Sequence, residues 1–333
     1  MKQITGKTYI NWYEGMLLWR KFEDKLAAAY IQQKIRGFLH LYNGQEAILA
    51  GCLHAIEIGK DRMISSYRSH VHSIGLGEDP KYIMAELYGK ATGTSGGLGG
   101  SMHIFSKKHN FFGGHGIVGG QIPLGTGISF GDKYFKRDNV TLCFMGEGAV
   151  RQGSFHESIN LAALWKLPVI YIIENNGYAM GTSVSRSTTQ IELWKHGDSY
   201  GIHSLSVDGM NPVKVAESVD KCISHARKGN GPSLVEAKTY RYRGHSMSDA
   251  QQYRTKEEVE EYRKIDPITQ VKSTILKKKY ATEAKLKKID DKVKKKIKEC
   301  EEFAESSPFP DLSLMYDSVY EQKDYPFIKH KID

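Results

Sequence analysis

Two short apolar runs constrain this chain more than any other feature. Residues 140–145 (VTLCFM) lead into Gly146-Glu147-Gly148, and residues 168–173 (PVIYII) lead into Glu174-Asn175-Asn176. Each run is rich in β-branched or aromatic residues and has no polar alternation, the pattern of a strand buried on both faces. Between them, residues 153–165 place Phe155, Ile159, Ala162 and Ala163 at the i, i+4, i+7, i+8 spacing of one helix face. Strand, helix, strand makes a parallel βαβ unit with a right-handed crossover. The expected fold class is α/β, a parallel sheet flanked by helices.

Parallel strands end at the same edge of a sheet. Glu147 and Asn176, one strand-plus-helix unit apart, should therefore emerge as neighbours at the carboxyl edge, where open α/β folds bind ligands. A carboxylate and an amide oxygen are hard donors, suited to Mg²⁺ with phosphate and water completing its shell. A helix starting near Gly153 and Ser154 would aim its N–H groups at the same edge and favour phosphate.

A dinucleotide fingerprint does not fit, because its third glycine position holds Arg151. Gly146-Glu147-Gly148 alone would be an ordinary turn after a strand. Asn175-Asn176 at the matching place on the next strand gives it weight. Together they resemble the thiamine diphosphate motif, Gly-Asp-Gly followed by Asn-Asn one βα unit later. The stretch GEGAVRQGSFHESINLAALWKLPVIYIIENNGYAMGTS resembles the α subunits of the E1 component of 2-oxoacid dehydrogenase complexes. Glu147 stands where most of that family has Asp, as it does in branched-chain relatives.

The resemblance implies a thiamine-diphosphate-binding fold running through residues 1–333 as a single domain, with 268–333 as a helical C-terminal extension. It implies that Glu147, Asn176 and the Tyr178 carbonyl hold Mg²⁺. Tyr67, Arg68, His245 and the backbone at Gly148 and Ala149 would hold the diphosphate, and the backbone at Gly116 and Val118 the aminopyrimidine. His40, in GFLHLYNGQEA, matches a histidine that faces the substrate and the reactive carbon. With His245 it is a candidate proton handler, and with Tyr67 and Arg68 it lines the substrate pocket. Ser246 and Ser248 match positions phosphorylated in some mitochondrial relatives. The expected reaction is oxidative decarboxylation of a 2-oxoacid with acyl transfer to a lipoyl group. Pyruvate leads, on the words GFLHLYNGQEA, SSYRSH and GHSMSDAQQYR; acetoin and branched-chain acids are the rivals. The family also implies an α₂β₂ assembly with an E1 β subunit, docked on a lipoyl transacylase (E2) core. A non-catalytic scaffold that kept the fold is the alternative from another class.

Composition sets further limits. The 333 residues are 40% hydrophobic and 26% charged, as in a globular protein, and no apolar stretch approaches the ~20 residues of a membrane span. The start, MKQITGK, has no apolar signal core, and four scattered cysteines without a C-x-x-C pair fit a reducing cytoplasm. A net charge of +9 raises nucleic acid as a partner, but the excess sits in residues 277–298, without a binding motif. There Leu276, Tyr280, Leu286, Ile289, Val293, Ile297 and Cys300 read as one apolar helix stripe beneath a lysine-coated face.

The rest of the chain reads in order. Residues 12–33 form an apolar-faced helix, and a second helix re-enters near Gln45. Residues 62–67 are a strand with an exit loop at 67–70. His70 and His72 have no third metal ligand nearby. Residues 93–100 read as a flexible glycine loop, 110–123 as a backbone-exposing glycine stretch, and 125–133 as a helix. Residues 177–185 are a loop, 213–227 a helix and 233–240 a strand. Asp266-Pro267 opens a helical region, 306–310 break it, and the tail to Asp333 is polar and partly irregular.

Overall fold

The computed structural model describes residues 2–319. Helices α1 (Gly6–Ile31) and α2 (Glu46–Ala55) precede strand β1 (Arg62–Ser66); α3 (His70–Leu76) and α4 (Pro80–Leu87) lead to β2 (Phe111–His115). Helix α5 (Gln121–Tyr134) leads to β3 (Thr141–Gly146), and α6 (Gly153–Leu164) to β4 (Val169–Asn175). A small hairpin, β5 (Tyr178–Ala179) and β6 (Thr182–Ser183), and the turn α7 (Val184–Ser187) follow. The sheet is completed by β7 (His203–Asp208), α8 (Pro212–Arg227) and β8 (Ser233–Lys238). Helices α9 (Lys256–Lys264), α10 (Pro267–Lys277), α11 (Glu283–Ser306) and α12 (Leu314–Asp317) close the described chain.

Six strands form one sheet in the order β2-β1-β3-β4-β8-β7, with every neighbouring pair parallel. The central strands divide their side chains as the apolar runs require. Leu142, Phe144, Ile170 and Ile172 face one layer, with α1, α2, α8, α10 and α11. Cys143, Met145, Tyr171 and Ile173 face the other, with Phe155, Ile159 and Ala162 of α6. These strand side chains are all fully buried, each stabilising the fold by roughly 1.5–3 kcal/mol before entropy is counted. All four cysteines are free and buried.

Several boundaries differ from the sequence reading, each for a local reason. Helix α1 starts ahead of Trp12 because Thr5 and Thr8 form a reciprocal cap. The exit loop after β1 is short, since α3 already begins at His70. The glycine stretch 110–123 contains an edge strand, β2, and α5 begins at Gln121 rather than 125. The loop at 93–100 is built, not loose: the buried Glu86 carboxylate accepts N–H bonds from Ser95, Gly97, Gly99 and Gly100. The residues after 177 form the β5–β6 hairpin. The lysine-rich stripe is two helices, not one. Lys279 turns into left-handed backbone and Thr282 caps α11, so Leu276 belongs to α10 while Leu286 through Cys300 line the buried face of α11. Asp266 caps α10 with Pro267 in its first turn, as the dipeptide suggests. Helix α9, with no buried residue, was not anticipated. The irregular tail expected at the end of the chain lies, from residue 320 on, outside the described residues.

Candidate active site at the carboxyl edge of the sheet

Five parallel strands deliver residues to one cavity of about 250 Å³. Tyr67 and Arg68 follow β1, Val118 and Gly119 follow β2, and Glu147, Gly148 and Ala149 follow β3. Asn176 follows β4, and Arg241 follows β8. Gln45, at the start of α2, closes one wall, and His245 another. The strands bring these residues together because all five end at the same edge.

The two residues singled out first are in contact. Gly146, the last residue of β3, is in register with Glu174, one residue before β4 ends. The Asn176 backbone N–H donates to Glu147 Oε2 at 3.4 Å. The Asn176 side chain is oriented from both ends: its Nδ2 donates to Gln45 Oε1 at 3.1 Å, and its Oδ1 accepts from Tyr178 N–H at 3.3 Å. Gly148 allows β5 to approach, since a Cβ there would lie 2.7 Å from Ala179 Cβ. The helix that follows β3 directly is a short 3₁₀ turn, Glu147–Arg151. Helix α6 starts beyond it, and its first turn does not line the cavity, contrary to expectation.

Charge in the cavity is unbalanced at one point. Glu147 is 3% exposed and forms no ion pair among the described residues. Burial pushes its carboxyl above the usual range, although Arg241 and Arg68 pull the other way. Arg241, 2% exposed, points Nη1 at Asn176 Oδ1 (3.4 Å) and at the Tyr178 carbonyl (3.3 Å). Two of the three oxygens expected to bind a metal therefore already converge on one cationic nitrogen. A buried, unpaired carboxylate beside them completes a donor set that fits a hard divalent cation.

Arg68 and the histidines differ in detail from expectation. Arg68 donates to two backbone carbonyls, Leu41 at 2.6 Å and His245 at 2.9 Å, so it ties the His40 and His245 loops together as well as lining the cavity. Burial, then the nearby Arg241 charge, pulls its guanidinium down to about 10, still charged at neutral pH. The His40 ring lies 4.4 Å from Tyr67 and 5.0 Å from His245. Burial, then Arg68, holds His40 at about 2 and His245 at about 4, so both imidazoles are neutral near pH 7. His40 Nδ1 is buried without a partner. These three rings, with Gly116, Val118 and Met180, line a second cavity of about 550 Å³ that shares walls with the first. Ser246 and Ser248 stand at its rim, 2.9 Å apart through their hydroxyls.

Sequence reasoning did not assign Arg241, Gln45 or Glu174. Glu174 accepts a hydrogen bond from the Tyr42 hydroxyl, and burial pushes its carboxyl up to about 8. A basic residue just past a strand end at this edge was the available signal for Arg241.

Over residues 14–313 the chain matches the sequence profile of the family described as the dehydrogenase E1 component. The chain belongs to the dehydrogenase E1 family. It is 49% identical over 316 residues to the pyruvate dehydrogenase E1 component subunit alpha of Rickettsia felis, covering 95% of this chain and 97% of that one. The protein of the same name from Rhizobium meliloti is 49% identical over 308 residues, covering 92% and 88%. The chloroplastic subunit alpha-3 of Arabidopsis thaliana is 42% identical over 323 residues, covering 95% and 75%. The span matched to the E1 family contains every site residue from His40 to His245.

Proposed function

We propose that this chain is the α subunit of a pyruvate dehydrogenase E1, an oxidoreductase that decarboxylates pyruvate with thiamine diphosphate and Mg²⁺ and passes the acetyl group to a lipoyl transacetylase. The observation that carries the reading is the meeting of Glu147 and Asn176 on adjacent strand tips, at a buried carboxylate with no ion-pair partner among the described residues. Names of close relatives support pyruvate as the substrate.

Glu147, Asn176 Oδ1 and the Tyr178 carbonyl would hold Mg²⁺. When bound, thiamine diphosphate would supply the nucleophile and the electron sink that decarboxylation of a 2-oxoacid needs. The chain's own residues hold and shield it. Arg241, Arg68, His245 and the backbone at Gly148 and Ala149 would hold the diphosphate, their positive charge and N–H groups facing its oxygens. Gly116 and Val118 present backbone to the aminopyrimidine. His40 and His245, neutral at pH 7, each offer an N–H to a developing alkoxide and a lone pair to a proton. Tyr67 walls the pocket, and Met180 covers its mouth.

The chain acts as one domain and supplies half a site. A β subunit completes it in an α₂β₂ assembly on an E2 core, in the cytoplasm. No described helix is long and apolar enough to cross a membrane. The test is co-expression with a candidate β chain, followed by a 2-oxoacid panel with an artificial electron acceptor. Turnover of pyruvate above branched-chain acids, with no turnover of acetoin, is the expected result. Preference for branched acids or acetoin would overturn the substrate, and absence of any turnover in a thiamine-diphosphate-loaded complex would support a scaffold.

A further inference from the structure

The largest cavity among those described lies away from the thiamine site. It encloses about 600 Å³ between the end of α1, the α4 exit and residues 97–102, a size suited to a small organic ligand. Its roof is Phe309, on a strap fixed by two bonds: Ala91 N–H to the Pro308 carbonyl at 2.9 Å, and Thr92 Oγ1 to Ser307 Oγ at 2.7 Å. Phe38, Leu98 and Phe309 give it apolar walls, and each is more than half exposed.

Two polar groups in this cavity lack hydrogen-bond or ion-pair partners among the described residues. Lys90 is 9% exposed, and its ammonium sits 3.7 Å over the Phe309 ring. No carboxylate lies within ion-pair distance of it among the described residues. The Tyr88 hydroxyl is buried and makes no hydrogen bond. The acids nearby are already engaged. Glu86 accepts four backbone N–H bonds, and Glu305 pairs with Lys34. Arg36, also on the wall, has no acidic partner among the described residues. A largely buried lysine stem whose ammonium rests on an aromatic face, beside a buried hydroxyl with no partner, leaves an unfilled place for an anionic acceptor.

We infer that this cavity binds a small organic anion, with one carboxylate, sulfonate or phosphate head on an apolar body. The head meets Lys90 and accepts from Tyr88 Oη, with Arg36 at the entrance. The body lies against Phe38, Leu98 and Phe309. The cavity shares no lining residue with the thiamine cavity, but Phe38 and Met102 also line the neighbouring His40 cavity, so the two are adjacent and are told apart by Lys90 and Leu98, which line this one alone.

The test uses the complex with its β chain, saturated with thiamine diphosphate and Mg²⁺ so that the reaction site is blocked. The probe is 8-anilinonaphthalene-1-sulfonate, followed by fluorescence. One saturable site per α chain is expected, displaced by octanoate but not by octylamine or inorganic phosphate. Lys90→Met should weaken the probe at least about tenfold, Leu98→Trp should fill the cavity and abolish binding, and Lys108→Met, outside the cavity, should change nothing. No saturable site, equal binding in Lys90→Met and Leu98→Trp, or equal displacement by octylamine would overturn the inference. Displacement by phosphate as strong as by octanoate would overturn the apolar half of it.

Discussion

Glu147 carries the tension of the site in one side chain. Its carboxylate is buried with no ion-pair partner among the described residues, so its charged form costs stability. Glu147→Gln should therefore leave the metal-free chain as stable or more stable, by about 1 kcal/mol in urea denaturation, while Mg²⁺-dependent cofactor binding falls at least about tenfold. Glu147→Asp should retain activity, because it keeps the charge. A metal-free Glu147→Gln chain clearly less stable than wild type would contradict the claim of a strained carboxylate. His72 poses the opposite problem, a base kept neutral. It lies between Tyr42, Phe111 and Phe144, with neither ring nitrogen hydrogen-bonded. Burial, then His70, pulls it down to about 3. The folded chain thus refuses a proton that the unfolded chain accepts near pH 6.5. The stability this contributes is complete above 6.5 and is lost as pH falls toward 3, by up to about 1.4 kcal/mol per pH unit. His72→Phe should flatten the acid limb of the stability curve between pH 7 and 5; parallel curves for the two proteins would count against it. At this scale the sequence was readable where function follows a strand end directly, as for Glu147 and Asn176. Gln45 was not, because it meets Asn176 only through the tertiary fold, whereas Arg241 carried the strand-end signal just past β8 and went unassigned.

Elements were legible in proportion to how strongly burial patterned them. β3 and β4 announce themselves as apolar runs because both faces are covered. β2 does not: it is an edge strand, and Gly113 and Gly114 remove the side chains that would mark its faces. Helix α9 carried no apolar signal because it buries nothing. The stripe over 276–300 was correct in its residues and wrong in its continuity, because a Thr cap and one left-handed lysine outweigh a short break in periodicity. Helix packing makes its own prediction. Gly51 lets α2 rest on α8, and a Cβ there would stand 2.6 Å from Val215 Cβ and 2.8 Å from the Pro212 carbonyl. Gly51→Ala should destabilise the chain by about 1–3 kcal/mol, and adding Val215→Ala should recover only the share due to Val215 Cγ1, since the Val215 Cβ and the Pro212 carbonyl stay in place. Thermal unfolding of the two variants checks this; an unchanged midpoint in Gly51→Ala would mean the helices can separate freely.

At the scale of the whole molecule, one topological fact does most of the positioning. Six parallel strands share a carboxyl edge, so short groups of residues from distant parts of the sequence meet there. Helices α10 and α11 brace the opposite layer against α1, and the lysines of α11 are partly screened by acids on the same helix, as in Lys294–Asp290 at 2.7 Å. The gathering of strand tips onto one cation is what the functional reading stands on. Calorimetric titration of thiamine diphosphate into the assembled complex, with and without Mg²⁺, tests it most directly in wild type and Asn176→Ala. The expected result is tight, Mg²⁺-dependent binding in wild type and a loss of at least about tenfold in the variant; equal, Mg²⁺-dependent binding in both would contradict it.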